Sequence, residues 1–70
     1  MINATRTGNN LRKIREDNLL KVKDIAALCH ITDYAVYKWE KGMTLPDTQN
    51  LLTLAKYYGM NMEELLCEEE

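Results

Sequence analysis

The side chains best suited to contacting another molecule lie close together, in the segment Ile31–Gly42. This segment predicts a short helix, because Thr32 can cap its first turn and Gly42 can adopt the left-handed conformation that ends it. Val36 and Trp39, three residues apart, form an apolar side. The opposite side carries hydrogen-bonding and aromatic groups, namely Asp33, Tyr34, Tyr37 and Lys38. A rigid helix with this outer face is suited to binding a partner.

The sequence lacks the sets of residues that a catalytic site or a metal site needs. His30 is the single histidine, and Cys29 and Cys67 lie far apart without further ligands at metal-site spacing. Neither a Ser, His and Asp set nor a Cys and His pair can be assembled, and there is no glycine-rich phosphate loop. We therefore expect a protein that is not an enzyme, that uses no metal or cofactor, and whose cysteines stay reduced.

The charge of the chain is unevenly distributed. Its 70 residues have a net charge of −2 at pH 7, which by itself does not suggest a polyanionic partner. Residues 1–42, however, contain eight Lys or Arg against five Asp or Glu, whereas residues 43–70 contain one against six. The amino-terminal part thus carries an excess of three positive charges. That part could face phosphate groups while the rest faces water.

Apolar residues recur at helical spacing along the chain and predict an all-α, five-helix fold. The expected helices are at about 7–17, 22–29, 33–40, 48–58 and 61–66. At this length we expect a single domain over 1–70, with a core at about 8–66 and frayed ends at 1–6 and 67–70. No apolar run is long enough for a signal peptide or a membrane span, so we expect a cytoplasmic protein with no membrane partner.

The segment Val22–Lys41 resembles the helix-turn-helix of phage-repressor and Cro-like (XRE-type) DNA-binding domains. Ile25, Val36 and Trp39 stand where that family places apolar residues, and Ala26 stands where two crossing helices leave little room. The WEKG sequence at 39–42 and the later Leu-Pro, Leu-Ala and Leu-Leu pairs, at 45–46, 54–55 and 65–66, match the family's flanking segments. The resemblance implies a compact bundle of the lambda-repressor-like type, with helices 2 and 3 forming the helix-turn-helix.

The same resemblance implies roles for individual residues. Arg15 and Glu40 match an ion pair that ties the first helix to the recognition helix in the family. Because the third helix enters the major groove in this architecture, the implied base-reading residues are Asp33, Tyr34, Tyr37 and Lys38. The implied phosphate contacts are Lys21, Lys23, Lys41 and Thr44, with Arg6 and Arg12 as further candidates.

Simpler interpretations remain open for some of these residues. Asp33 is also a favourable charge for the first turn of a helix, and the two tyrosines could be partly buried against their neighbours.

Two positions depart from the family pattern. His30 replaces a glycine in the turn and must adopt a left-handed backbone, and Lys21-Val22 replaces a Thr-Gln pair whose glutamine contacts phosphate.

We expect a sequence-specific regulator that binds double-stranded DNA, represses transcription and acts as a homodimer, with a regulatory protein as a further partner. A dimer surface is expected around the apolar residues Met43, Leu45, Met60, Met62 and Leu66. The alternative is a protein-interaction module of the antitoxin or anti-repressor kind. The acidic total, Asp33 and the missing glutamine favour this alternative, whereas the lysines around the third helix favour DNA.

Overall fold

The computed structural model describes residues 1–69 and confirms the all-α fold. The elements are α1 (Ala4–Asp17), α2 (Val22–Cys29), α3 (Asp33–Glu40), α4 (Thr48–Tyr58) and α5 (Met62–Leu65). The predicted bounds of α2, α3 and α4 are correct. No helix within residues 1–69 has both the length and the apolar character needed to cross a membrane.

Polar side chains at the helix starts explain most of these bounds. The side chains of Thr32, Asp47 and Asn61 each accept a hydrogen bond from a backbone N–H three residues further along the chain. Asn3 does the same for Arg6 at 2.9 Å, so α1 begins at Ala4, three residues earlier than predicted. At α5 the Glu64 carboxylate also accepts from the N–H of Asn61, which completes a capping box.

The described chain ends are paired with each other, in contrast to the expectation that 1–6 and 67–70 are frayed. The N–H of Asn3 donates to the carbonyl of Cys67 at 2.7 Å, and the N–H of Glu69 donates to the carbonyl of Met1 at 2.9 Å. Thr7, which is fully buried, accepts from the N–H of Cys67 at 2.9 Å. Backbone N–H and C=O groups outside the helices thus form hydrogen bonds with a segment that is distant in the sequence. Residue 70 lies outside the described residues.

The core consists of the apolar stripes that the sequence indicates. Val36 and Leu65 are the most completely buried of these side chains, at 1% and 0% exposure, and Trp39 lies beside them. The other buried apolar residues are Leu11, Val22, Ile25, Ala26, Cys29, Leu51, Leu54 and Ala55. Buried residues from all five helices therefore form one core, to which α3 contributes Val36 and Trp39.

The backbones of α1 and α3 approach closely at Gly8, a buried residue of α1. A Cβ atom added at Gly8 would overlap the carbonyl oxygen of Trp39 and would lie 2.9 Å from the carbonyl oxygen of Glu40. Just beyond α3, a Cβ at Gly42 would lie 2.7 Å from the Cα of Thr5. The amino-terminal half of α1 is thus held directly against the carboxyl end of α3, a contact that the sequence analysis did not foresee.

We expect Gly8→Ala to destabilise the domain by about 2 kcal/mol, because the added methyl group would meet the backbone of α3 rather than a flexible side chain. Alanine's better helix propensity, worth about 1 kcal/mol, offsets only part of this cost. The control is Gly59→Ala, which enters open space but at a φ of +69° and should cost about 1 kcal/mol. Urea unfolding measures both, and a Gly8→Ala protein as stable as the parent would contradict the close contact.

Tyr58, at the end of α4, is partly buried against the core, and burial raises the pKa of its hydroxyl to about 12. An unfolded tyrosine ionises near pH 10, so above pH 10 the unfolded state loses this proton first and stability falls as the pH rises towards 12. Tyr58→Phe should reduce the loss between pH 8 and pH 11 by about 1 kcal/mol. Urea unfolding at the two pH values tests this, with Tyr57→Phe, on an exposed neighbour, as the control. Equal profiles for the two variants would contradict it.

Candidate nucleic-acid interface

The helix-turn-helix unit is closed by a left-handed residue between α2 and α3. His30 has φ 57° and ψ 45°, so its backbone adopts the left-handed conformation, as expected for this position in the turn. This turn lets the N–H of Ile31 donate to the carbonyl of Ala26 at 3.0 Å. Ala26 itself is buried at 4% exposure, as a close helix crossing requires. The chain therefore enters α3 directly from the end of α2.

The carboxyl end of α3 is fixed by the turn at Gly42, which has φ +75°. The N–H of Gly42 donates to the carbonyl of Trp39 at 3.0 Å, and the N–H of Met43 donates to that of Lys38 at 2.9 Å. Met43 is thereby held beside the last turn of α3. The outer face of this short helix thus has defined neighbours at both ends.

A bidentate ion pair joins α1 to the end of α3. Nε of Arg15 donates to Oε2 of Glu40 at 2.7 Å, and Nη2 donates to Oε1 at 3.0 Å. A third donor, Nη1, reaches the carbonyl of Leu20 at 2.9 Å. The two side chains are only 12% and 8% exposed. The hydrogen bond to Glu40 raises the pKa of Arg15 more than partial burial lowers it, so the guanidinium of Arg15 stays charged. The bidentate geometry sets the orientation of α3.

A groove of about 580 Å³ lies between α1, the start of α2 and α3; we call it the cationic groove. Its lining residues are Arg12, Arg15, Lys21, Val22, Lys23, Asp33, Tyr37, Glu40 and Lys41. Five cationic side chains thus face two carboxylates, and one of each sign is engaged in the Arg15–Glu40 pair. An anion entering the groove therefore meets a clear excess of positive charge at the amino end of a helix.

A second depression, of about 430 Å³, lies on the outer face of α3; we call it the α3 depression. It is lined by Tyr34, Tyr37, Lys38, Lys41 and Met43. Tyr34, Tyr37 and Met43 are 66%, 48% and 61% exposed, which is high for large apolar side chains. The Nζ of Lys38 lies 5.5 Å from the centroid of the Tyr34 ring. This cation–π contact holds the ammonium group against the aromatic surface.

The structure separates the four residues expected to read bases. Tyr34 and Lys38 line the α3 depression, Asp33 lines the cationic groove, and Tyr37 lines both. Asp33 belongs to the first turn of α3, as its simpler interpretation required. The spacing explains the division, because residues four apart share a helix face: 33 goes with 37, and 34 goes with 38.

The residues expected to contact phosphate are divided as well. Lys21, Lys23 and Lys41 line the cationic groove. Thr44 lines neither depression and instead follows the turn after α3, where its N–H donates to the carbonyl of Lys38 at 3.4 Å.

The two further candidates for phosphate contacts, Arg12 and Arg6, differ in position. Arg12 lines the groove, whereas Nη1 of Arg6 donates to the carbonyl of Glu68 at 3.0 Å. Met43, expected at a dimer surface, is a wall of the α3 depression. Its position directly after Gly42 is the sequence signal that could have placed it there.

The start of α2 confirms the departure from the family pattern at Lys21-Val22. Val22 is buried at 9% exposure and packs in the core, and where it lines the groove it presents only apolar surface, whereas a glutamine would offer a hydrogen-bond donor. The N–H of Lys21 donates to a carboxylate oxygen of Asp24 at 2.8 Å. Positive charge at this helix start is therefore supplied by the side chains of Lys21 and Lys23.

We expect Glu40→Gln to destabilise the domain by about 2–4 kcal/mol, because it leaves the guanidinium of Arg15 partly buried without its counter-charge. The matched control is Glu16→Gln, which removes the acid of an exposed pair with Arg12 at 3.4 Å and should change stability by less than about 0.5 kcal/mol. Thermal unfolding of the two variants distinguishes them. Equal melting temperatures would mean that the Arg15–Glu40 pair does not hold α3.

Known proteins share the sequence features behind this geometry. A helix-turn-helix family model matches residues 11–65. The HTH-type transcriptional regulator DdrOP3 of Deinococcus deserti is 36% identical over 56 residues, which are 80% of this chain and 43% of that protein. The HTH-type transcriptional activator BcrR of Enterococcus faecalis is 28% identical over 60 residues, which are 86% of this chain and 29% of that protein. The chain therefore spans less than half the length of either relative.

Solved structures agree with these relatives. A transcriptional regulator from Listeria innocua superposes with a TM-score of 0.83 at 29% identity, covering 91% of this chain and 61% of that one. The restriction-modification controller protein C.AhdI from Aeromonas hydrophila gives a TM-score of 0.79 at 26% identity, covering 89% and 94%. With the family model matched over most of its length, the chain belongs to the helix-turn-helix family of the phage-repressor and Cro-like type.

Proposed function

We propose that this chain is a sequence-specific, double-stranded DNA-binding regulator that inserts α3 into the major groove. It acts in the cytoplasm as a homodimer on a two-fold related operator, and it represses by occupying that operator. A regulatory protein is a further partner. Its role is binding rather than catalysis.

One observation carries the proposal: positive and aromatic side chains collect around α3 in a chain whose net charge is negative. The cationic groove holds Lys21, Lys23 and Lys41 together with Arg12, and the α3 depression adds Lys38. A negatively charged protein gains little nonspecific attraction to DNA, so local placement of cations matters more than their total. The two relatives named as transcriptional regulators support the same function.

The two depressions suit two kinds of contact. In the cationic groove, lysine and arginine side chains beside the start of α2 are suited to phosphate oxygens, which set position and register. In the α3 depression, Lys38 can donate to base-edge acceptors and the tyrosines can pack on apolar base surfaces. Tyr37 and Lys41 line both depressions, so they mark the line along which backbone and base contacts meet.

A homodimer follows from the size of the domain. One domain buries little DNA, whereas two domains related by a two-fold axis place two α3 helices about 34 Å apart on one side of the duplex. Of the residues expected at the dimer surface, Leu45 is 40% exposed, whereas Met43 is a wall of the α3 depression. Met60, Met62 and Leu66 instead pack partly buried against the core. The proposed dimer surface is therefore smaller than the sequence suggested and centres on Leu45.

A protein-interaction module remains the second candidate, because three observations at the start of α2 and α3 favour it. Val22 is buried in the core, Asp24 occupies the N–H of Lys21, and Asp33 lines the cationic groove. Each lowers the attraction of this surface for phosphate. An antitoxin-like or anti-repressor partner would bind the same face through the exposed Tyr34 and Met43.

The test is binding to duplex DNA from upstream of the protein's own gene, beside a scrambled duplex, at 50 and 200 mM salt. A dimer making 6–10 phosphate contacts should lose about 10³–10⁵ in affinity between these concentrations. It should also prefer the upstream duplex. Absence of binding to both duplexes at 50 mM salt would favour the protein-interaction module instead.

A matched pair of variants in the same assay tests the cationic groove. Arg12 and Lys13 each face an acid four residues further along α1 at 3.4 Å, and both are exposed, but only Arg12 lines the groove. Arg12→Gln should weaken binding and reduce the slope of log affinity against log salt by about two for a dimer, one phosphate contact per subunit. Lys13→Gln should leave the slope unchanged. Equal slopes for the two variants would remove Arg12 from the interface.

A further inference from the structure

We propose that the α3 depression recognises thymine, through its C5-methyl group and its O4 atom together. The inference rests on the proposed function and specifies what α3 reads. Three side chains supply apolar surface around the depression, namely Tyr34, Tyr37 and Met43, and two supply cationic donors, Lys38 and Lys41. In the major groove thymine presents a methyl group next to a carbonyl acceptor, which is the same pairing of properties.

The chemistry of the lining favours thymine over the other pyrimidine. Cytosine presents an N4 amino donor and no methyl group. None of the five residues that line the α3 depression carries a carboxylate, and Asp33 lies on the side of the cationic groove. Lysine ammonium groups only donate, so they would be repelled by an amino group and attracted by the thymine carbonyl. Because Asp33 lies outside the α3 depression, the side chains that line the depression prefer thymine to cytosine.

Part of the lining has contacts within the domain, namely the ammonium group of Lys38 and the backbone of Met43. The ammonium of Lys38 rests 5.5 Å from the centroid of the Tyr34 ring, and Lys38 is only partly exposed. The N–H of Met43 donates to the carbonyl of Lys38 at 2.9 Å, so the backbone of Met43 is tied to the same turn of helix. Fewer side chains then have to be ordered on binding, which makes a contact as small as one methyl group count towards specificity.

The experiment uses duplexes selected by the protein from a randomised library, in which each thymine is then replaced by uracil in turn. This substitution removes only the methyl group. At one or more positions per half-site the affinity should fall about fourfold, the effect of exposing one buried methyl group. In Tyr34→Ala the ratio of thymine to uracil affinity at that position should approach one. Tyr57→Ala, on an exposed tyrosine of α4 outside both depressions, should keep the ratio of the unmodified protein.

Because each ratio compares two duplexes on the same protein, a variant that is merely less stable does not change it. A further arm replaces the critical T·A pair with C·G and with 5-methylcytosine·G. The expected order of affinity is T·A, then 5-methylcytosine·G, then C·G, since methylation restores the apolar contact but not the carbonyl acceptor.

Two results would overturn the thymine site while leaving DNA binding intact: equal affinity for thymine and uracil at every position, or an unchanged thymine-to-uracil ratio in Tyr34→Ala. Failure to select any duplex would overturn the proposed function itself, and the thymine site with it.

Discussion

The contact between α1 and the end of α3 is the constraint on which the rest of the molecule depends. An eight-residue helix has little stability of its own in water, so its position must come from packing. Gly8 allows the two backbones to touch, and the Arg15–Glu40 pair fixes the angle between them. Because Val36, Trp39 and Glu40 make the inner attachment of α3, the outward side chains are those on its opposite face.

The outward side chains of α3 are sorted by helix geometry into two surfaces with different chemistry. One continues into the cationic charge at the start of α2, and the other is aromatic with lysines at its edge. Tyr37 and Lys41 belong to both. A small rotation of α3 would therefore displace both surfaces at the same time. The fixed angle between α1 and α3 thus determines how both surfaces meet a partner.

Much of the fold could be predicted from local pattern. The bounds of α2, α3 and α4 follow from apolar spacing, capping side chains and the left-handed residues that end the helices. The start of α1 follows from a local cap at Asn3, which apolar spacing alone does not reveal. The pairing of the chain ends could not be predicted, since it depends on contacts between segments about 60 residues apart. The role of Gly8 was hidden for the same reason. The separation of Asp33 from Tyr34, by contrast, was present in the spacing, because 33 and 34 cannot share one helix face.

The antiparallel pairing of Ile2 with Glu68 brings the two described ends of the chain together on the surface. Asn3, which hydrogen-bonds Cys67, is only two residues from Thr5, which lies against the turn at Gly42. A reporter group attached at position 2 or position 68 would thus lie at the same corner of the molecule, next to the carboxyl end of α3.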